Sequence, residues 1–130
     1  MTVGDFWRLE VLPTLARTWT PELQWPGSRW TRHGDAWRGC CPLHGGDNST
    51  GFEVTRQKGG WLWRCWTRCG SGDLLALLAG GTSPRGAEFV RVVRAAADLA
   101  GVDTAPIDSA ERQDRRPARQ KAQEAPRLAL

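Results

Sequence analysis

The sequence of 130 residues contains no tyrosine, one methionine and two histidines. It has no run of about 18 apolar residues that could cross a membrane, because its longest apolar stretch is residues 74–79. Residues 1–17 include Asp5 and Glu10 and lack the basic start, apolar middle and small-residue cleavage site of a secretion signal. We therefore expect a soluble, cytoplasmic protein without a membrane partner.

The abundant residue types indicate a basic, tryptophan-rich domain. The chain has eight tryptophans, fifteen glycines and four cysteines, and its 18 lysines and arginines exceed its 14 aspartates and glutamates by a net charge of +4. A sequence pI of about 9.3 favours nucleic acid or another acidic partner. The length fits one domain, so an activity that needs a second full-sized domain would require another chain.

Short apolar and alternating segments predict three strands, at residues 36–40, 51–56 and 61–65. The glycine-bearing connection 57–60 suits an antiparallel hairpin between the second and third strands. Residues 25–34 contain proline, glycine and serine and are interpreted as a loop or irregular segment leading into the sheet. These strands therefore predict a small antiparallel sheet.

Helix signals occur on both sides of the predicted strands. The expected helices are residues 6–12, a short helix that starts at residue 20, residues 74–79 after a turn at 70–73, and an amphipathic helix that opens at Ser83–Pro84. Pro13 either ends or kinks the first helix. Gly101 suits a left-handed cap at the end of the last helix.

The composition changes beyond Val102. Residues 108–130 hold six basic and four acidic residues and no aromatic residue, so they cannot bury enough apolar surface to offset chain ordering. We predict three segments: an N-terminal helical segment and loop (1–33), a domain that contains the strands (34–103) and a disordered basic tail or linker (104–130). The expected fold class is α+β, with a small antiparallel sheet flanked by helices.

Four potential metal ligands occur as two closely spaced pairs, Cys41 with His44 and Cys65 with Cys69. Each pair can bring two donor atoms to one side of a tetrahedral zinc ion, and a hairpin between such pairs is how zinc ribbons are built. In a reducing compartment, cysteines are more often metal ligands or catalytic groups than disulfides. Because four ligands close the site, we predict one structural Zn²⁺ and no catalytic residue.

Other roles are open for the cysteines and histidines of this region. Cys40 could replace Cys41, but its position at the end of an alternating strand points its side chain the other way and favours a small buried hydrophobe. His33 lies in a polar loop away from either pair and is expected to be exposed. A Cys–His nucleophile pair is possible with these residue types, yet two complete ligand pairs leave no spare member for it.

Basic and aromatic residues are interleaved around the metal ligands. Residues 29–68 contain seven basic residues, three acidic residues and five tryptophans. Guanidinium groups neutralise phosphates, and aromatic rings stack on unpaired bases. The candidate nucleic-acid contacts are Arg56, Lys58, Arg64, Trp66 and Arg68. A solvated basic face is the alternative interpretation of the same residues.

Strand alternation divides the tryptophans near the second ligand pair. Trp61 and Trp63 share one face of their strand, and Leu62 and Arg64 share the other. The two tryptophans are expected in the core beneath the helices, since tryptophan is mostly buried. Trp66 lies between the two cysteines and is the better candidate for an exposed stacking residue.

The ordered segments Trp37–His44, Phe52–Val54, Trp63–Trp66 and Cys69–Asp73, followed by leucines, have a recognisable arrangement. Together with the helix that ends at Gly101, they resemble the N-terminal zinc-binding domain of bacterial DnaG-type DNA primases. The resemblance covers residues 34–103 and implies a zinc ribbon that helps to recognise single-stranded template during primer synthesis. It also implies zinc ligation by the same two pairs. This chain has three residues between its last two cysteines, where the family usually has two.

Primases of this family continue into a catalytic domain with clustered acidic residues, and this sequence has no Asp-x-Asp pair. We expect a single-stranded DNA-binding module that does not polymerise nucleotides alone. It would act in DNA replication with a separate catalytic primase, polymerase or helicase subunit, in a bacterium or encoded by a plasmid or phage. The alternatives are a zinc-stapled protein-interaction adaptor and the N-terminal piece of a longer primase or primase-helicase.

Overall fold

The structure is a computed structural model that describes residues 1–108. Residues 109–130 of the tail predicted over 104–130 lie outside the described residues. The described part contains a five-stranded antiparallel sheet with helices before and after it. This arrangement confirms the predicted α+β fold.

The N-terminal helical region is longer than predicted and passes through Pro13. It consists of α1 (Val3–Phe6), a π-helical segment (Trp7–Val11) and α2 (Leu12–Thr18). The amide of Leu12 donates to the carbonyl of Trp7, which is the wider π-helical spacing, immediately before a proline that has no amide to donate. The wider turn therefore lets the helix continue where the sequence predicts an end or kink.

Three further helices have well-defined caps. In α3 (Pro21–Gln24), the Thr20 hydroxyl accepts from the amide of Leu23. In α4 (Leu74–Leu78), Asp73 accepts from the amide of Ala76 at 2.9 Å. The long helix α5 (Gly86–Ala100) begins two residues after the predicted Ser83–Pro84 start. It ends at Gly101, whose φ of 69° confirms the predicted left-handed cap.

The sheet is a meander in which each strand pairs with the next in sequence. Its strands are β1 (Trp30–His33), β2 (Ala36–Gly39), β3 (Phe52–Gln57), β4 (Gly60–Cys65) and β5 (Gly70–Asp73). The sequence predicts neither edge strand, because residues 25–34 carry loop signals and residues 70–73 carry turn signals. Each edge strand is held by backbone pairing with its inner neighbour, β1 with β2 and β5 with β4.

Residues alternate between two different faces of the sheet. One face is covered by helices and carries Trp37, Val54, Trp61 and Trp63, each at most 3% exposed. We call the other face the open face; one row across its five strands consists of Thr31, Arg38, Glu53, Arg64 and Ser71. The structure therefore confirms that Trp61 and Trp63 belong to the core and that Arg64 lies on the opposite side.

One hydrophobic core joins the predicted segments 1–33 and 34–103. Phe6, Val11 and Leu15 of the N-terminal helices are buried in the same cluster as the sheet tryptophans and Val93 of α5. Residues 105–108 form a helical turn in which Ile107 is fully buried, so ordered structure extends beyond the predicted start of the tail at 104. Within residues 1–108, no helix combines the length and apolar character needed to span a membrane.

Candidate metal centre and the open sheet face

The four predicted ligands meet at one end of the sheet. The strand register aligns Gly39, Phe52, Cys65 and Gly70 at this end, so β2 leaves the sheet where β4 ends and β5 begins. Cys41 and His44 therefore lie in the connection 40–51, opposite the turn that carries Cys65 and Cys69. A bound metal would fasten this long connection to the β4–β5 turn.

The distances between the donor atoms fit one metal ion. All four donor atoms lie within 4.8 Å of one another. The Cys41 and Cys69 sulfurs are 3.8 Å apart, and His44 Nδ1 lies 3.1 Å from the Cys69 sulfur and 3.8 Å from that of Cys65. Tetrahedral coordination with bonds of about 2.3 Å to sulfur and 2.0 Å to nitrogen places sulfurs about 3.8 Å apart and nitrogen about 3.5 Å from sulfur.

The orientation of His44 identifies Nδ1 as its ligand atom. Nδ1 faces the cysteine sulfurs, whereas Nε2 faces away from them and lies 3.5 Å from the Thr67 hydroxyl oxygen. The backbone of Gly46 passes close to the same edge of the ring, because a Cβ atom there would lie only 2.7 Å from Nε2. Only glycine at residue 46 therefore leaves the His44 ring in its present position.

The backbone of both turns favours the charged form of the first cysteine of each pair. Hydrogen bonding from the backbone of Leu43 and His44 lowers the pKa of Cys41, and hydrogen bonding from the backbone of Thr67, Arg68 and Cys69 lowers the pKa of Cys65. Burial favours the neutral thiol of Cys65, but the Thr67 hydroxyl and these backbone hydrogen bonds outweigh it and lower the pKa of Cys65 to about 5. This turn is thus already arranged to stabilise a thiolate.

The other two cysteines favour the neutral thiol. Burial and then the neighbouring sulfurs of Cys41 and Cys65 raise the pKa of Cys69 to about 12, and burial raises the pKa of Cys41. Three thiolates this close repel one another unless a positive charge lies between them. A metal cation supplies that charge and deprotonates its coordinating thiols. The donor set therefore fits a single metal ion.

The neighbouring cysteine and histidine do not join the cluster. Cys40 is half-buried and is not one of the four grouped residues. His33 is exposed at the end of β1, as predicted. Among the described residues, the four predicted ligands are the group of cysteine, histidine and carboxylate side chains that could hold a metal.

Trp66 and Arg64, two of the predicted nucleic-acid contacts, lie together on the open face. The Trp66 side chain is 45% exposed, and its amide donates to the carbonyl of Gly51 at 2.9 Å. Its ring has the guanidinium carbon of Arg38 at 5.0 Å and that of Arg64 at 5.5 Å. Glu53, between them in the register, binds the Arg38 Nε at 3.0 Å. These contacts form an aromatic and basic patch beside the metal ligands.

The other three predicted contacts lie elsewhere. Lys58 is exposed in the β3–β4 turn, and Arg68 is exposed in the β4–β5 turn. Arg56 lies on the helix-covered side, where its guanidinium carbon is 4.9 Å from the centre of the Trp61 ring. Its Nη1 lies 3.7 Å from Oδ1 of Asp35. The structure therefore does not bring Arg56 together with Arg64 and Trp66.

A surface depression of about 620 Å³ adjoins this patch. Its lining includes Leu62, Arg64 and Trp66 together with the glycine-bearing strand β5. The open face of β5 presents the small, exposed side chain of Ser71 opposite Arg64, so this end of the face is low and accessible. The depression is therefore large enough to receive a flat group laid against the exposed tryptophan.

Sequence reasoning missed Arg38 and Thr67, which contact predicted site residues. Arg38 follows the buried Trp37 in β2, so strand alternation indicates that its side chain lies on the opposite face of the sheet. Its position beside Trp66 depends on the register Arg38–Glu53–Arg64, and register follows from tertiary pairing. Thr67 carried a weaker signal, as a hydroxyl residue between two predicted ligands.

Comparison of the chain with protein-family models, curated proteins and solved structures found no match. The fold and the grouping of the four ligands therefore come from the structure itself.

Proposed function

We propose that this chain is a zinc-stapled module that binds single-stranded DNA and acts in primer synthesis with a separate catalytic or helicase subunit. One observation carries the proposal: the turn between β4 and β5 supplies two metal ligands and also holds Trp66 on the open face. A metal that fixes this turn would fix the stacking residue as well. The ligand cluster and the patch then work as one unit.

Zinc is the metal that best suits the donor set. Three thiolates and one imidazole form a soft, tetrahedral environment that is typical of structural Zn²⁺ sites. Four side-chain donors complete a tetrahedral set, whereas a catalytic ion keeps one coordination position open. Bound at these residues, zinc would supply a structural cross-link between the connection 40–51 and the β4–β5 turn.

Single strands suit the open face better than duplexes do. Stacking on Trp66 needs the flat side of a base, which a duplex hides within its own stack. The guanidinium groups of Arg38 and Arg64 lie against this ring, so positive charge for a phosphate lies next to the position of a stacked base. The proposed role in primer synthesis rests on the resemblance of the ordered motifs over residues 34–103 to the zinc-binding domain of DnaG-type primases.

The DNA-binding proposal is tested with fluorescently labelled single- and double-stranded oligonucleotides at two salt concentrations. We expect tighter binding to the single strand and a negative salt slope. Arg64→Ala should weaken binding and reduce the slope of log K against log salt by about 0.7, the loss of one phosphate contact on a single strand. Arg91→Ala, at an exposed arginine of α5, is the matched control and should bind like the wild type. Equal affinity for both oligonucleotides without a salt slope would refute the proposal.

The primer-synthesis role needs a separate test. A catalytic primase subunit or helicase from the same genome is assayed for primer formation with and without this chain. We expect stimulation by the wild type and less stimulation by Arg64→Ala. Unchanged primer yield with every such subunit would leave a DNA-binding module outside primer synthesis.

A protein-interaction adaptor is the second candidate because Leu62 is 49% exposed beside the aromatic and basic patch. Exposed apolar surface that is bordered by polar or charged residues is a feature of protein interfaces. Leu62→Ser should abolish capture of a stoichiometric protein partner if the adaptor interpretation is correct. The same variant should keep most of its single-strand affinity if DNA is the partner.

A further inference from the structure

The β4–β5 turn has an unusual arrangement of its three residues between Cys65 and Cys69. Trp66 lies against Arg38 and Arg64 on the open face, and Arg68 is exposed. Thr67, between them, directs its hydroxyl oxygen toward two of the metal-ligand residues. The middle residue of the turn thus faces the cluster while its neighbours face outward.

The Thr67 hydroxyl lies between one thiolate and one imidazole. Its Oγ1 is 3.4 Å from the Cys65 sulfur and 3.5 Å from His44 Nε2. A hydroxyl has one proton to donate and lone pairs with which to accept. It can therefore donate to the sulfur while it accepts from an N–H of the ring, so both contacts can exist at once.

The direction of these hydrogen bonds matters for His44. With Nδ1 facing the metal position, a neutral ring must carry its proton on Nε2. An Nε2–H has an acceptor in the Thr67 oxygen. Metal-bound histidines generally donate their second N–H to an oxygen acceptor, which fixes the ring orientation. The threonine thus favours the tautomer and the ring orientation that metal binding needs.

We infer that Thr67 is a positioning residue of the metal site, linking His44 Nε2–H to the Cys65 sulfur and thereby holding two ligands from different turns in register. This inference rests on the proposal that the cluster binds a metal. It also gives a role to the additional residue of this turn. With three residues between Cys65 and Cys69, the middle one can face the cluster while its two neighbours face outward, and a turn with two intervening residues has no middle position. Trp66 can then serve the open face without removing support from the ligands.

The test compares Thr67→Val, which keeps the shape and removes the hydroxyl, with Thr67→Ser, which keeps the hydroxyl. Thr31→Val, at an exposed threonine of β1, is the matched control for the same chemical change. Zinc affinity is measured on the full chain by competition with a chromophoric chelator. Loss of a side chain that hydrogen-bonds a metal ligand typically weakens metal binding by about 10- to 100-fold. We expect Thr67→Val to bind zinc about tenfold more weakly, because this turn is exposed to solvent. Thr67→Ser and Thr31→Val should retain wild-type affinity.

A second measurement separates positioning from general weakening of the fold. In the zinc-loaded protein, ¹⁵N-resolved NMR reports which His44 nitrogen carries the proton and how fast that proton exchanges with water. We expect the Nε2 proton to exchange faster in Thr67→Val than in the wild type, with normal exchange in Thr67→Ser.

The outcomes distinguish this inference from the metal proposal beneath it. If the wild type binds no metal, the proposed zinc site is wrong and the inference falls with it. If the wild type binds zinc and Thr67→Val binds it equally well with unchanged Nε2 exchange, only the positioning role is refuted. An equal loss of affinity in Thr67→Ser and Thr67→Val would also refute it, because the hydroxyl would not be the cause.

Discussion

Two tryptophans three residues apart should respond in opposite ways to truncation. Trp63 is 3% exposed, stacks on Phe52 with ring centres 5.8 Å apart, and donates its indole N–H to the Asp73 carbonyl at 2.8 Å. Trp66 is 45% exposed and contacts the guanidinium groups of the open face. Trp63→Ala should therefore reduce stability, and Trp66→Ala should reduce single-strand binding.

The expected magnitudes follow from these surroundings. Removing a large buried aromatic side chain costs about 3–5 kcal/mol of unfolding free energy, which applies to Trp63→Ala. Trp66 is half-exposed and has two cation–π contacts worth about 0.5–1 kcal/mol each at exposed sites, so Trp66→Ala should cost no more than about 2 kcal/mol. Stacking of a base on an aromatic ring contributes about 1–3 kcal/mol, so the same variant should bind a single strand about 5- to 150-fold more weakly.

The assay combines denaturant unfolding of both zinc-loaded variants with titration of a labelled single-stranded oligonucleotide. Binding is expressed per folded molecule, so that lost stability is not counted as lost affinity. Trp63→Ala should retain more affinity per folded molecule than Trp66→Ala does. The reasoning is refuted if Trp66→Ala binds as tightly as the wild type, or if Trp63→Ala unfolds with the wild-type free energy.

Three further predictions concern other parts of the molecule. Chelation should remove one zinc per chain and unfold the domain, as followed by circular dichroism; a native spectrum after complete zinc removal would contradict this. Cys41→Ser should lower zinc stoichiometry, whereas Cys40→Ser should leave it at one, measured by elemental analysis; equal effects would show that the ligand assignment is wrong. Arg56→Ala should lower the unfolding free energy by about 1–2 kcal/mol through lost packing against two tryptophans while single-strand affinity stays near wild type, and a large loss of affinity would place Arg56 in the interface.

The ligand pairs were accessible to sequence reasoning because they depend on local spacing. Each pair lies within one turn, so Cys41 with His44 and Cys65 with Cys69 must stay close in any fold that forms these turns. That the two pairs face each other depends on the register of three strands, which the hairpin at 57–60 only partly indicated. The structure brings all four donor atoms within 4.8 Å.

The helix through Pro13 and the strand β5 were not predicted, because their local sequence favours a different structure. Pro13 signals a helix end, but a preceding π-helical turn accommodates it. Residues 70–73 contain two glycines and signal a turn, yet they form an edge strand because β4 offers a row of backbone partners. In both cases, neighbouring structure outweighs local propensity.

The sequence by itself determined the α+β class, the two ligand pairs, the burial of Trp61 and Trp63, and the cap at Gly101, because each follows from spacing or alternation within one element. Only the tertiary structure decided which charged residues share a surface. Arg56 and Arg64 are both basic strand residues, but the register and the helices covering one face place Arg56 against buried tryptophans. The same register places Arg64 beside Trp66, since a side chain's surroundings depend on the elements that pack next to it.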